Sequence, residues 1–245
     1  MDVTRCFAVV AAALVLYAPH RAFADEPQAK LASPATRPHT IAEIEAGVVV
    51  LPTAPISPAQ RGGSTPIFGT IGKGDATLQT GLHVLYRTGP EWVIGAAASF
   101  APAPTTDTEY GGGSALPRSH ARSYFLLVLE GRYVPVRTDS FDVWVGLRGG
   151  GIIVADRFAT ENGQNVPTVF GTSTVTVRTE GAVLGIQAGT NWYFAERWAL
   201  GVGLRGDRWL LPVTPTCSPI GDCATLSGAI EAFSAGLTLA YRVPL

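Results

Sequence analysis

The sequence AVLGIQAGTNWYFAERWALGVGLRGDRWLLP, residues 182–212, decides the fold. Apolar side chains alternate with other residues on both sides of the dipeptide Ala195-Glu196, which predicts a β-hairpin with one apolar face. The other face carries small, polar and charged residues: Gln187, Asn191, Gly201, Gly203, Arg205 and Asp207. A soluble sheet would bury the apolar face against a second layer, whereas a membrane barrel would turn it to lipid and keep the polar face for the lumen.

The composition indicates that a water-facing surface is scarce. The chain is 47% hydrophobic and 15% charged, whereas roughly a quarter of the residues in a typical soluble domain are charged. Lysine, the usual residue of solvated surfaces, occurs only as Lys30 and Lys73. The 28 glycines suit a narrow barrel interior. A net charge of −1 argues against a nucleic-acid partner.

The N-terminus has the features of a secretory signal peptide. Arg5 supplies a positive charge, residues 6–17 form an apolar core, and Ala22-Phe23-Ala24 is an A-x-A-type cleavage site. We expect a signal peptide at 1–24 that is cleaved after Ala24, a flexible periplasmic lead-in at 25–40 and a barrel domain at 41–245. An uncleaved anchor is disfavoured because the apolar run is short for a span of about 20 residues.

Eight strands are predicted along the barrel domain, with long and short connections in strict alternation. They are residues 41–51, 77–87, 92–101, 122–134, 141–155, 174–194, 198–211 and 229–243. Long segments follow the first, third, fifth and seventh strands, and short turns follow the second, fourth and sixth. This rhythm is typical of outer-membrane barrels, which have short periplasmic turns and long external loops. The predicted fold is therefore an all-β, eight-stranded antiparallel up-and-down transmembrane β-barrel.

Aromatic residues concentrate at the predicted short turns and at the end of the last strand. Such a band is typical of the aromatic girdle at a membrane interface, whereas core aromatics would scatter along the strands. The predicted periplasmic girdle consists of Tyr86, Trp92, Tyr133, Phe141, Trp192, Tyr193, Trp198 and Tyr241.

The segment NWYFAERWALGVGLR, residues 191–205, together with eight strands and a last strand ending in the aromatic Tyr241, resembles the OmpA-type eight-stranded outer-membrane β-barrel family. The resemblance covers residues 41–245 and implies outer-membrane lipid and the barrel-assembly machinery as partners. The family's usual terminal aromatic residue is absent, since Arg242-Val243-Pro244-Leu245 follows Tyr241. No peptidoglycan-binding domain, which some relatives carry, is expected after the last strand.

Alternation along the strands predicts five acids and five bases inside the barrel. Arginine at the lipid face would cost about 2–4 kcal/mol at mid-membrane, which favours the inward assignment. The predicted lumen charge network is Glu43, Glu45, Arg87, Glu130, Arg132, Asp142, Arg148, Arg205, Asp207 and Arg242. A static plug of paired charges is favoured over a gate that opens when the pairs exchange.

The sequence offers little support for catalysis or for a cofactor. The mature histidines are His39, His83 and His120; Ser119 precedes His120, but no acid accompanies this pair. We expect His83 to form hydrogen bonds in the lumen. Neither glycine run is followed by Lys-Ser/Thr, and metal-ligand spacing is absent, so neither a cofactor nor a metal is expected.

Cys217 and Cys223 lie in the fourth long segment, together with Pro212, Pro215, Pro219 and Gly221. Since this segment can fold back within seven residues and export supplies an oxidising route, we expect a disulfide in an external loop.

The predicted function is that of a non-enzymatic outer-membrane barrel with a structural or surface-interaction role and a mostly closed, charge-paired lumen. Its loops would meet any external partner. Three alternatives remain open at this point: a small gated pore, a lipid-modifying acyl enzyme of the same membrane, and a soluble periplasmic barrel that binds an apolar ligand inside.

Overall fold

The computed structural model describes residues 38–52, 60–61, 65–66, 75–102, 118–160, 174–218 and 223–243. The predicted signal peptide, most of the lead-in, parts of all four long segments and the last two residues lie outside these residues. The barrel strands, here β1 to β8, are His39–Leu51, Asp75–Arg87, Trp92–Ala101, Arg118–Arg137, Phe141–Thr160, Thr174–Tyr193, Trp198–Leu210 and Ala229–Val243. Two antiparallel strands of two residues each, Gln60–Arg61 and Thr65–Pro66, lie between β1 and β2 in the sequence.

The eight strands form one closed antiparallel ring. Each strand pairs with its neighbours in sequence, and β1 closes the ring by pairing with β8, for example Ile44 with Leu239. The short turns are tight: the Thr88 N–H donates to the Trp92 carbonyl at 3.0 Å, and the Thr138 N–H donates to the Phe141 carbonyl at 2.8 Å. The predicted eight-stranded up-and-down fold is confirmed. Closure leaves none of these strands with an open edge at the level where all eight are paired.

The barrel has apolar residues outside and charged residues inside. Leu78 and Leu237 are 69% and 65% exposed on the outer face, whereas Glu43 and Arg132 are 1% and 3% exposed on the inner face. A soluble barrel buries its large apolar side chains, whereas many of those in this barrel cover the outer face. Other large apolar residues on the outer face are Ile44, Leu82, Val84, Ile94, Leu127, Leu129, Leu147, Leu184, Ile186, Leu200 and Val202.

The inward side chains are stacked in layers from the turn end of the barrel to the loop end. Along β4 the order is Val134, then Arg132 and Glu130, then the apolar run Val128, Leu126 and Tyr124, and finally Arg122. On β1, β5 and β7 too, charged inward residues are followed towards the loop end by apolar ones. Most of the charged residues therefore lie between two apolar clusters, while the Arg87–Asp142 pair lies at the turn end. The cluster on the turn side includes Trp144 and Leu85, and that on the loop side includes Trp209 and Ile152. The interior is therefore a packed core with a charged layer in its middle.

Three strands continue well beyond the ring at the loop end. β3 pairs with β4 only as far as Ala101 opposite Tyr124, and β7 joins β6 only from Ala182. Residues 118–123, 152–160 and 174–181 therefore form a three-stranded sheet that protrudes. The predictions that 102–121 and 156–173 are loops were wrong where these strands extend. Beyond the apolar band of the barrel, the outer face of a strand does not have to be apolar. The alternation that marks a strand in the sequence is therefore weaker there.

We expect Leu237→Arg to block folding into lipid vesicles, because Leu237 lies on the exposed apolar face and an arginine near mid-membrane costs about 2–4 kcal/mol there. Folding yield is measured by the mobility of unheated samples on denaturing gels. The control is Thr176→Arg, an outward position in the protruding sheet, which should fold as well as the wild type. Equal yields for both variants would contradict the assignment of the outer face to lipid.

Candidate functional site: the charged lumen

The centre of the charged layer is a chain of side chains that crosses the barrel. His83, on β2, lies between two glutamates, with Nε2 2.8 Å from Glu45 Oε2 and Nδ1 2.7 Å from Glu130 Oε1. Arg205, on β7, donates from both terminal nitrogens to the two carboxylate oxygens of Glu45. Gln187, on β6, donates to Glu130 Oε2 at 2.8 Å. Five strands thus contribute to one hydrogen-bonded cluster.

Arg132 extends this cluster towards the turn end. Its guanidinium donates to both oxygens of Glu43, at 3.1 and 2.9 Å, and its Nη2 also lies 3.3 Å from Glu130 Oε1. The Arg132 Cζ lies 4.3 Å above the ring of Trp144. A bidentate carboxylate contact and an aromatic face are both favourable to a guanidinium. Arg132 is therefore held on two sides by charge and on a third by the indole.

Asp142 organises a second cluster at the turn end. Its carboxylate accepts hydrogen bonds from Arg87 Nη2 at 3.0 Å, Asn191 Nδ2 at 3.0 Å and the Tyr193 hydroxyl at 2.6 Å. Arg87 also donates from Nη1 to the Pro90 carbonyl at 3.0 Å, which ties the cluster to the turn after β2. Asp142 is fully buried and fully partnered, as a carboxylate removed from water requires.

Arg148 and Asp207 form the least complete pair of the layer. Arg148 Nε lies 3.4 Å from Asp207 Oδ1, outside hydrogen-bond geometry. Both side chains are buried, at 4% and 9% exposed. The pair is held by its Coulombic attraction and by neighbouring charges rather than by a directional bond.

The described residues contain a third buried cluster, at the loop end, which the sequence did not predict. Asp156 accepts hydrogen bonds from the Thr225 N–H at 3.0 Å, from the Thr225 hydroxyl at 2.5 Å and from Arg122 Nε at 3.2 Å. Arg122 is 2% exposed, Asp156 0% and Thr225 3%. Thr225 belongs to the connection between β7 and β8, so this connection folds back over the interior. Ala224 and Leu226, on either side of it, are also fully buried.

The predicted charges are brought together with one exception. Nine of the ten, all except Arg242, are buried beside an opposite charge. Arg242 instead lies half-buried at the turn end, with its Cζ 4.3 Å above the Tyr193 ring and its Nη1 donating to the Glu196 carbonyl. Among the described residues, no carboxylate forms an ion pair with Arg242. His83, which was not counted among the bases, occupies the place of the fifth base between Glu45 and Glu130.

The predicted girdle residues lie at the turn end, and most of them face outward. Trp92 and Trp192 are each 54% exposed, and the Trp92 and Tyr133 ring centroids are 5.1 Å apart. Trp198 contacts Tyr241 with centroids 4.8 Å apart. The assignment of Tyr193 to the outward girdle was wrong, because its hydroxyl points inward and donates to Asp142. It follows Trp192 directly, and successive side chains of a strand point to opposite faces.

The predicted disulfide between Cys217 and Cys223 is confirmed. It closes the connection between β7 and β8, where the Ala224 N–H also donates to the Thr216 carbonyl at 2.7 Å. Cys223 is 6% exposed and directly precedes the buried residues 224–226. The bridge therefore constrains the residues that enter the barrel mouth.

Neither a membrane-spanning helix nor a metal centre is found in the described part of the chain. No helix there is long and apolar enough to cross a membrane. No group of three or more His, Cys, Asp or Glu side chains there is arranged to hold a metal ion.

No protein-family model and no curated protein matches the chain. Several solved structures are similar in fold. A major outer-membrane protein of Thermus thermophilus has 13% identity and a TM-score of 0.49, over 83% of this chain and 99% of that one. OprG from Pseudomonas aeruginosa has 15% identity and a TM-score of 0.45, over 85% and 99%. Ail of Yersinia pestis, in complex with the heparin analogue sucrose octasulfate, has 10% identity and a TM-score of 0.46, over 84% and 98%.

Likenesses at this level of identity concern the fold alone. The chain's own strand pairing establishes that fold, a closed ring of eight antiparallel strands. The resemblance to OmpA-type barrels is confirmed in this respect.

We expect Asp207→Asn to destabilise the barrel more than the double variant Asp207→Asn/Arg148→Met. The single change leaves the buried Arg148 cation without its carboxylate, and such a loss typically costs about 3–5 kcal/mol. The double change removes the cation as well. Urea unfolding of protein refolded in lipid vesicles measures both. If the double variant is as destabilised as Asp207→Asn or more so, Arg148 and Asp207 are separately hydrated and do not act as a pair.

We expect Cys217→Ser/Cys223→Ser to leave the barrel folded but to make residues 211–218 and 223–228 more sensitive to protease. By loop entropy so small a ring contributes roughly 2 kcal/mol, which acts on the connection and not on the strand ladders. Limited proteolysis followed by mass spectrometry measures the cleavage sites. The wild type treated with reductant should show the same new sites. A variant that fails to fold, or one that is cleaved no faster than the wild type, would contradict this expectation.

Proposed function

We propose that the protein is a non-enzymatic outer-membrane β-barrel with a closed, charge-paired lumen and a structural or surface-interaction role. The observation that carries this proposal is the polarity of the barrel, with leucine and isoleucine exposed outside and paired charges buried inside. In water the outer face would be a continuous exposed apolar surface, which soluble monomers rarely have. In a bilayer the same face is solvated by lipid, and the strands of a closed ring can satisfy one another's backbone polar groups.

The closed lumen is supported by three successive barriers along the barrel axis. The charged layer is bridged from β1 to β7 by the Glu45–Arg205 pair. On its loop side, the Tyr124 and Trp209 rings meet with centroids 5.0 Å apart. Above them, Thr225 is bonded to Arg122 and Asp156 at the mouth. An ion would have to displace all three, so a static plug accounts for the interior better than a conducting pore.

The surface role is supported by the protruding sheet. Residues 174–181 of β6 have ladder partners on the β5 side, and their other edge has no ladder partner among the described residues. Their outward side chains, Thr174, Thr176, Arg178 and Glu180, are polar or charged. An open edge at the surface can accept an extended segment of another polypeptide by main-chain hydrogen bonds. An external protein that presents such a segment is the partner that this surface fits.

The turn end is assigned to the periplasm and the loop end to the exterior, following the usual arrangement of outer-membrane barrels. The outward aromatic residues at the turn end then lie at the inner interface. The disulfide-closed connection and the protruding sheet lie outside the cell. The other partners proposed for the protein are outer-membrane lipid and the barrel-assembly machinery. We also propose that its signal peptide is cleaved after Ala24.

We expect the refolded wild-type protein to insert into planar lipid bilayers with no conductance, or with only brief openings, because paired charges and packed rings fill the lumen. Insertion is verified in parallel by the gel mobility of unheated protein recovered from vesicles. A long-lived open channel would contradict the closed lumen. A protein that remains folded and monomeric in buffer without detergent would contradict the membrane location.

A further inference from the structure

His83 is in contact with carboxylate oxygens at both ring nitrogens. Nε2 lies 2.8 Å from Glu45 Oε2, Nδ1 lies 2.7 Å from Glu130 Oε1, and the ring itself is fully buried. A neutral imidazole donates from one nitrogen only and presents a lone pair at the other. If both glutamates were ionised, that lone pair would face a carboxylate oxygen at hydrogen-bond distance. One of the two contacts therefore requires an additional proton, either on the ring or on a glutamate.

The hydrogen bonds to the two glutamates place that proton on the ring. Both oxygens of Glu45 accept from Arg205. Glu130 Oε2 accepts from Gln187 at 2.8 Å, and Glu130 Oε1 faces Arg132 Nη2 at 3.3 Å. A carboxyl protonated on the oxygen that faces the ring would donate to the unprotonated ring nitrogen, but it would lose its negative charge and with it the charge-assisted bond from Arg205 or Arg132. An imidazolium instead donates once to each carboxylate, and every contact then has one donor and one acceptor.

The charge balance of the layer agrees with this placement. Apart from the Arg122–Asp156 pair at the loop end, which is neutral by itself, the buried acids are Glu43, Glu45, Glu130, Asp142 and Asp207, and the buried arginines are Arg87, Arg132, Arg148 and Arg205. Five carboxylates thus face four guanidiniums, and an imidazolium at His83 makes the layer neutral. The elements packed around the ring add no other charge: inward residues of β3, β6 and β8 at this level include Ala97, Ser99, Gln187 and Thr238.

We propose that His83 is an imidazolium clamp that joins Glu45 and Glu130 across the lumen, and that loss of its second proton opens the charged layer. The inference goes beyond the closed barrel, because it identifies the group whose protonation holds the barrel closed. Raising the pH removes the proton, leaves five carboxylates against four guanidiniums and removes one of the two hydrogen bonds. The barrel then loses resistance to unfolding as the pH rises, and regains it when the pH is lowered again.

The clamp makes a prediction for variants that differs from that for an ordinary buried histidine. His83→Gln leaves the layer with one excess negative charge, and His83→Gln/Glu130→Gln restores neutrality. The double variant should therefore have a higher urea midpoint at pH 7.5 than the single variant, and its midpoint should change less with alkaline pH than that of the wild type. A double variant that is less stable than the single one would overturn the proposal, since an ordinary hydrogen-bonding site loses more with each change.

The state of the ring is measured directly in the unmodified protein. Histidine labelled with ¹⁵N is incorporated, and long-range ¹H–¹⁵N correlation spectra are recorded in detergent micelles at pH 7.5, where a solvated histidine is mostly neutral. His83 is assigned as the signal missing from His83→Gln, or as the one unaffected by pH change through the solvated range if that variant does not fold. Both ring nitrogens should show the shifts of a protonated imidazolium. An unprotonated shift at either nitrogen would overturn the proposal, whatever the conductance of the barrel.

Discussion

Charges buried inside a narrow ring have to be paired, and in this barrel the pairs join strands that are distant in the sequence. A charge removed from water costs several kcal/mol unless an opposite charge and hydrogen bonds compensate. The barrel satisfies this requirement with side chains from different strands: Glu45 meets Arg205 across 160 residues of sequence, and Glu43 meets Arg132 across 89. Because these partners are so far apart in the chain, the pairs form only when the ring is closed and every strand is in register. The charged layer therefore couples β1, β2, β4 and β7 into one unit.

Apolar packing on both sides shields this layer from water. Leu85 and Trp144 lie towards the turn end, and Tyr124 and Trp209 towards the loop end. The same packing explains why the connection after β7 folds inward, since Leu226 covers the loop-side cluster while Thr225 completes the hydrogen bonds of Asp156. The barrel thus has a core of the kind found in soluble proteins, enclosed by a surface of the kind found in membrane proteins.

The sequence predicted the faces of the strands well, because lipid outside and charge inside impose a period of two. Ile44 and Leu237 face outward and Glu43 and Arg205 inward, as the alternation requires. It predicted less at the loop end, where the outer face does not have to be apolar and charged residues are buried on the inner face. There β4 begins at Arg118 and β5 ends at Thr160, both inside segments that were predicted to be loops. Nor could the sequence predict which charges pair, since alternation fixes the face of a residue but not its height or its place around the ring. Arg242 was assigned to the lumen by alternation alone, yet it lies at the turn end over Tyr193. The Arg122–Asp156–Thr225 cluster has no sequence signal of its own, because Thr225 comes from a connection whose path depends on the finished barrel.

The five tryptophans of the chain show which face of the barrel is in contact with lipid. Trp92, Trp192 and Trp198 are exposed on the outer face, while Trp144 and Trp209 are 3% and 1% exposed in the interior. In variants that retain a single tryptophan, fluorescence is measured in vesicles of lipids brominated along the acyl chain. We expect quenching of the three outer tryptophans and none of Trp144 and Trp209. Quenching of Trp144 and Trp209 with the outer three unaffected would contradict this expectation.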